Sequence, residues 1–179
     1  RELIKIYDNI VPYIDEKYAI VIVRLLSDAA IDVLKNDQRN ATPICAFLAN
    51  NIKLIPDKGE QILNMLCSIT KENTIEVQFG IMQSICKIVQ LAGICNSGES
   101  VKKCLIDAAF SPKNEISHLS FETLPKVAQK TQITVDDLTY TYSLAKGADS
   151  MDAFDLIVAL LGGVDQNADI SEIAEDYLT

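Results

Sequence analysis

Oxygen-bearing side chains recur at every second position in one short segment near the end of the chain, as they do in calcium-binding loops. The segment runs from Asp165 through Asn167 to Asp169. Ile170 occupies the position where the sharp turn of such a loop needs glycine, and Asp176 stands where the bidentate glutamate is expected. We therefore expect no calcium site here.

Histidine and thiol chemistry is also sparse. His118 is the single histidine, and no serine, cysteine or aspartate is identifiable as its partner for nucleophilic catalysis. Cys86, Cys95 and Cys104 could supply thiolates for zinc, but their wide spacing lacks the close cysteine pairs of zinc sites. Phosphate-binding glycine loops and hydrolase motifs do not occur. The sequence predicts no enzyme active site, no metal and no cofactor.

Cysteine usage favours an intracellular protein. The five thiols are irregularly spaced and odd in number, so they cannot all pair within one chain. We expect core packing for Cys45, Cys67, Cys86 and Cys104, and a looser position for Cys95. No apolar run approaches the ~18–20 residues of a membrane span, and no signal-peptide pattern is present. The expected location is the cytoplasm or the nucleus, without membrane contact.

Acidic charge is concentrated at one end of the chain. The net charge is −9 at pH 7, and residues 132–179 hold ten carboxylates and one lysine. Residues 1–131 are balanced, with fifteen groups of each sign. Clustered carboxylates repel phosphate backbones and accelerate encounter with basic partners. We therefore expect no direct nucleic-acid binding and a protein partner rich in lysine or arginine.

Two predicted helices of this acidic portion carry the candidate partner-binding residues. The aspartates would supply a negative electrostatic field that attracts a basic partner, and tyrosines are frequent anchors in interfaces. The alternative is that the aspartates stabilise helix N-termini and that the tyrosines are core or helix-surface residues. The candidates are Asp136, Asp137, Tyr140, Tyr142, Asp152 and Asp155.

Apolar residues recur at spacings of three and four along nearly the whole chain, which predicts an all-α fold. Sustained alternation and hairpin dipeptides, the signals of strands, are missing. Helices are predicted to begin near residues 2, 15, 42, 57, 73, 99, 112, 134, 150 and 171.

Several of these boundaries are marked by residue types that favour the start of a helix. Proline at the first helical position and an acidic residue three positions after the N-cap strengthen the signal. The predicted starts are Thr42 with Pro43, Asp57 with Glu60, Asn73 with Glu76, Thr134 with Asp137, and Ser150.

Paired helices give units near Asp57–Ile94, Gly98–Lys130 and Thr134–Gly163, close to the ~33–47-residue periods of helical solenoids. With prolines inside helices, at Pro12 and Pro125, and short polar turns, the chain resembles the HEAT/armadillo class of repeats. The resemblance spans most of the chain and implies antiparallel helix pairs stacked as a short α-solenoid. A compact helical bundle is the alternative.

The 179 residues fit a single helical-repeat domain over 1–179. The start at Arg1 is typical of a segment of a longer chain. We expect a non-enzymatic scaffold or adaptor for protein–protein interaction. Three alternatives remain open: a structural spacer within a larger solenoid, a transport-receptor-like repeat carrying basic cargo, and a helical regulatory domain of an enzyme whose catalytic part lies elsewhere.

Overall fold

Helices make up nearly all of the chain that the computed structural model describes, which is residues 2–70, 73–92, 98–128, 133–146, 151–164 and 170–171. These residues form nine α-helices and no strand, and one β-bridge joins Ile133 to Val164. The all-α prediction is confirmed. The chain divides into two compact units, Arg1–Ser97 and Gly98–Thr179, called the first and second unit below.

Five α-helices are formed by the part of the first unit that the structure describes. Helix α5 packs against both α3 and α4, and α2 packs against α3. Leu48, Ile62 and Ile85 are fully buried between these helices, and each such burial contributes about 1.5–3 kcal/mol. The helices are α1 (Glu2–Ile10), α2 (Glu16–Asn36), α3 (Ala41–Asn50), α4 (Gly59–Thr70) and α5 (Ile75–Ala92).

The described residues of the second unit form four α-helices. Helix α6 packs against α7, and α9 packs against both α7 and α8. The core includes Leu105, Leu124 and Leu160, all fully buried. Sequential helices therefore pack as the predicted pairs α4–α5, α6–α7 and α8–α9. The helices are α6 (Gly98–Ala109), α7 (Asn114–Ala128), α8 (Val135–Ala145) and α9 (Met151–Leu161).

Pro12 ends the first helix, which was predicted to continue with a bend to residue 14. The α-helix stops at Ile10, and Val11–Tyr13 form a 3₁₀ turn. Proline has no N–H and its ring clashes with the preceding turn, so the α-helical hydrogen bonds cannot continue through it. Pro125 is different, since it lies inside α7 as predicted.

Three predicted helix starts are wrong. Helix α5 begins at Ile75 rather than directly after Asn73, whose side-chain amide donates to the Ile69 carbonyl oxygen. Helix α3 begins at Ala41, with Asn40 as an N-cap that makes no side-chain bond, so Thr42 lies inside the helix. Helix α4 begins at Gly59 rather than at Asp57. The Asp57 carboxylate accepts hydrogen bonds of 2.8 and 2.7 Å from both terminal nitrogens of Arg24.

The start of α8 is confirmed in detail. The Thr134 hydroxyl accepts a hydrogen bond from the backbone N–H of Asp137, and the Asp137 carboxylate accepts one from the backbone N–H of Thr134. Each bond satisfies a donor that the first helical turn leaves without a partner. The predicted Ser150 cap lies outside the described residues, and so do residues 172–178 of the predicted final helix, Ser171–Leu178.

Cysteine placement partly follows the prediction of core packing. Cys45 and Cys86 are buried, whereas Cys67 and Cys104 are half-buried. Burial raises the pKa of the Cys45 thiol to about 12. Cys95 lies outside the described residues. Among the residues that the structure describes, no helix combines the length and apolarity needed to cross a membrane.

Cys45 is therefore expected to resist alkylation in the folded protein, since the thiolate is the reacting species. Iodoacetamide at about pH 8 should leave Cys45 unmodified while labelling the half-buried Cys67 and Cys104 more quickly. Peptide mass spectrometry of the native protein measures this, and a urea-unfolded sample is the control. Equal labelling of Cys45 and Cys67 in the native protein would contradict the burial of Cys45.

Candidate partner-binding surface

Asp137 lies in a buried ion pair at the start of α8. Its carboxylate is 2.5 Å from the Lys102 ammonium group of α6, and the two side chains are 8% and 3% exposed. Lys102 also lies 3.1 Å from the exposed carboxylate of Glu99. The same Asp137 carboxylate accepts the backbone N–H of Thr134 at 2.9 Å. These contacts join α6 to α8 within the second unit.

The pKa values of this pair reflect two opposing effects. Burial by itself raises the pKa of Asp137, but hydrogen bonds from Lys102 and Thr134 outweigh it and hold the pKa below its ordinary value. Burial likewise lowers the pKa of Lys102, and its bonds to Asp137 and Glu99 raise it above the ordinary value overall. Both groups are therefore charged near neutral pH.

The two tyrosines of α8 lie on different faces, because two residues span about 200° of a helix. The Tyr140 hydroxyl donates to the Asp107 carboxylate of α6, and the Lys103 ammonium group lies 5.3 Å from the centre of its ring. The Lys146 ammonium group lies 4.8 Å from the centre of the Tyr142 ring. Both rings are half-buried. The structure does not bring the two predicted anchors together.

Asp136 shares its side of α8 with Tyr140, one helical turn further on. It is exposed, in contrast to its buried neighbour Asp137. The side chain of Asp152 lies outside the described residues. The six candidates are thus dispersed, with Asp137 engaged inside the unit and Asp136 on its surface.

Asp155 borders a cleft between α7 and α9. The cleft has a volume of about 390 Å³. A second cleft of about 480 Å³ continues along α7 and shares His118 and Phe121 with the first. The first cleft is lined by His118, Phe121, Glu122, Pro125, Asp155 and Leu156.

Apolar and acidic groups are combined in this cleft. Leu156 is buried and Phe121 and Pro125 are half-buried, while Glu122 and Asp155 are exposed. Glu122 is 3.3 Å from His118 one turn earlier, at 59% and 76% exposure. The described residues that line the cleft include no lysine or arginine. Such a cleft suits a segment with an apolar side chain beside a positive charge.

The ring of Phe121 is held in place by Phe110, which follows α6. Their ring centres are 6.5 Å apart at an angle of 64°, a favourable edge-to-face arrangement. The cleft wall is therefore built on packed helices rather than on a free loop. Such support keeps a binding surface preorganised.

Sequence reasoning identified Asp155 but missed Phe121 and Glu122. The sequence singled out His118 as the single histidine and Pro125 as a proline inside a helix, but it did not predict that either residue lines a cleft. The available signal was the spacing of His118, Phe121, Glu122 and Pro125, which places them on one helix face. What lies opposite that face depends on how α9 packs, and local patterns do not contain this information.

Metal binding has no support among the described residues, where no group of three or more histidine, cysteine or acidic side chains could hold an ion. The calcium-like segment over 165–169 and Cys95 lie outside them. In comparisons with known proteins, no family model, curated protein or solved structure matches the chain.

Proposed function

We propose that this protein is a non-enzymatic scaffold or adaptor that binds a lysine- or arginine-rich protein segment through its acidic second unit. The observation that carries the proposal is the α7–α9 cleft, where Glu122 and Asp155 flank apolar Phe121 and Leu156. An apolar pocket with charges at its edge is the common arrangement of peptide-binding surfaces, since the pocket supplies affinity and the charges supply orientation.

Charge over the whole second unit supports the same partner. Residues 98–179 contain fourteen acidic and six basic groups, whereas residues 1–97 contain eleven and ten. The negative field of the second unit would accelerate encounter with a basic segment and disfavour nucleic acid. The proposal includes a HEAT/armadillo-type stacking of the helix pairs, and action in the cytoplasm or nucleus.

Neutralising the cleft should weaken partner binding by about tenfold and reduce its dependence on salt. The variant combines Glu122→Gln with Asp155→Asn and omits Asp137, whose carboxylate is needed inside the unit. Affinity capture from lysate at low and high salt, followed by mass spectrometry, identifies basic partners. Titration of one identified partner then measures the affinity.

The matched control neutralises two exposed carboxylates of the first unit, Glu60→Gln with Glu76→Gln. This control should retain the partners of the wild-type protein, and circular dichroism should show both variants to be helical. An unchanged partner set and affinity for the cleft variant would overturn the proposed binding surface.

A further inference from the structure

Large apolar side chains that remain exposed are concentrated in the first two helices. The described residues include eleven exposed large hydrophobic side chains, and eight of them lie between Leu3 and Val33. Scattered exposed hydrophobic residues are ordinary, but a contiguous patch of this kind marks a surface that another molecule covers.

The exposed side chains form a stripe on each helix. Residues three, four or seven positions apart lie on one helical face, and the exposed positions follow this spacing. On α1 they are Leu3, Ile6 and Ile10, and on α2 they are Tyr18, Val21, Leu25 and Val33, with exposed fractions from 39% to 67%.

The α2 stripe faces away from α3, whereas the α1 stripe lies beside the side of α1 that contacts α3. Helix α1 contacts α3 through Tyr7, whose ring lies 5.5 Å from that of Phe47 at 89°. Helix α2 also packs on α3 and buries its opposite side, including Val23 and Leu34. Helices α1 and α2 contact each other, and we call their two exposed stripes together the α1–α2 face.

We propose that the α1–α2 face is the interface of a homodimer, in which α2 of one copy crosses α2 of a second copy about a two-fold axis. Val21, Leu25, Ala29 and Val33 are exposed and follow one another at intervals of four residues. Rows of this spacing pack into each other at an angle of about 50°. The small side chain of Ala29 lets the second helix approach closely at the middle of the row.

The size of the face suits a second copy. Seven large apolar side chains, each from 39% to 67% exposed, offer an area on the order of the ~800 Å² that each partner buries in a standard interface. A face composed mainly of large apolar side chains is typical of homodimers, whose interfaces resemble a protein core.

Charge also favours a second copy over the basic partner of the second unit. Residues 1–36 contain five basic and six acidic groups, so two copies that meet through this region bring together nearly neutral surfaces. The acidic portion of the chain, residues 132–179, lies elsewhere in the sequence. Repulsion between copies is therefore weak at this face.

Sedimentation equilibrium from micromolar to near-millimolar protein tests the proposal. The wild-type protein should show a monomer–dimer equilibrium. Leu25→Glu should raise the dimer dissociation constant by at least about tenfold, because it places a charge in an apolar interface. Val158→Glu is the matched control, since Val158 is 63% exposed on α9 against 67% for Leu25, and it should leave the dimer unchanged.

Ala29→Trp distinguishes specific packing of the two helices from nonspecific hydrophobic association. It adds apolar area, so nonspecific association would strengthen, whereas the proposed close crossing would be blocked and the dimer weakened. A wild-type protein that is monomeric at every concentration would overturn the proposal and leave the face to a different occupant, such as a neighbouring helix pair of a longer solenoid. Persistent dimerisation of Leu25→Glu would also overturn it.

Discussion

Asp137→Asn is expected to destabilise the protein by about 3 kcal/mol at neutral pH. The substitution keeps the shape of the side chain but leaves the Lys102 ammonium group, 3% exposed, without its closest counter-charge. Breaking a buried ion pair on one side costs more than the pair contributes, since the remaining charge has lost its solvation. Urea unfolding followed by circular dichroism measures the loss in the free energy of unfolding.

Asp136→Asn provides the matched control for this substitution. It changes the same functional group in the same helical turn, but Asp136 is exposed. Its expected cost is below about 1 kcal/mol, the usual range for an exposed acidic residue near a helix N-terminus. Equal losses for the two variants would show that the buried pair with Lys102 contributes little.

The pH dependence of Asp137→Asn gives an independent check. Because the pKa of Asp137 is lowered from 3.8 in the folded state, its contribution is present above that value and is lost as the pH falls through the folded pKa. The pKa of Lys102 is raised above 10.5, so its contribution is lost only in strongly alkaline solution. The stability difference between wild type and variant should therefore be constant near neutrality and shrink in acid.

Gly80→Ala is expected to cost about 1–3 kcal/mol, although alanine favours helices more than glycine by about 1 kcal/mol. A Cβ atom at position 80 of α5 would lie 2.5 Å from Cγ2, 2.9 Å from Oγ1 and 3.1 Å from Cβ of Thr42 on α3. Rotating the threonine side chain cannot move its Cβ, so α3 and α5 must separate. Thermal and urea unfolding measure the loss.

The Thr42→Ala background tests this cause directly. It removes the two closest atoms, so Gly80→Ala should cost less there than in the wild-type protein. Gly162→Ala is the control for a glycine in open surroundings, since its Cβ would meet only the Ala159 carbonyl oxygen at 3.4 Å. That substitution should change stability by less than about 1 kcal/mol. A Gly80→Ala protein as stable as wild type would contradict the close packing of α3 on α5.

Local features of the fold were predictable because they depend on residues near one another in the sequence. On α5, for example, Ile81, Ile85 and Ile88 follow the apolar spacing of three and four residues that predicts a helix, and all three are fully buried. Thr134 and Asp137 satisfy each other's backbone donors within one turn. Both patterns act over three or four residues and need no distant partner.

Predictions failed where a distant residue competes for the same side chain. Thr42 and Asp57 both favour helix starts by type. Thr42 instead lies inside α3, against Gly80 of α5. Asp57 binds Arg24, thirty-three residues earlier in the chain. Contacts of this kind join residues far apart in the chain, so a capping pattern, which covers only a few neighbouring residues, does not predict them.

The candidate surfaces also combine features that are predictable from nearby residues with features that depend on distant contacts. The helical class, the acidic composition and the capping box of α8 were predictable, since these follow from residue types and short spacings. The burial of Asp137 against Lys102, the position of Asp155 beside a cleft and the exposure of the apolar stripes of α1 and α2 depend on tertiary packing. An amphipathic pattern shows that a helix has an apolar side, but what covers that side depends on contacts between helices far apart in the chain.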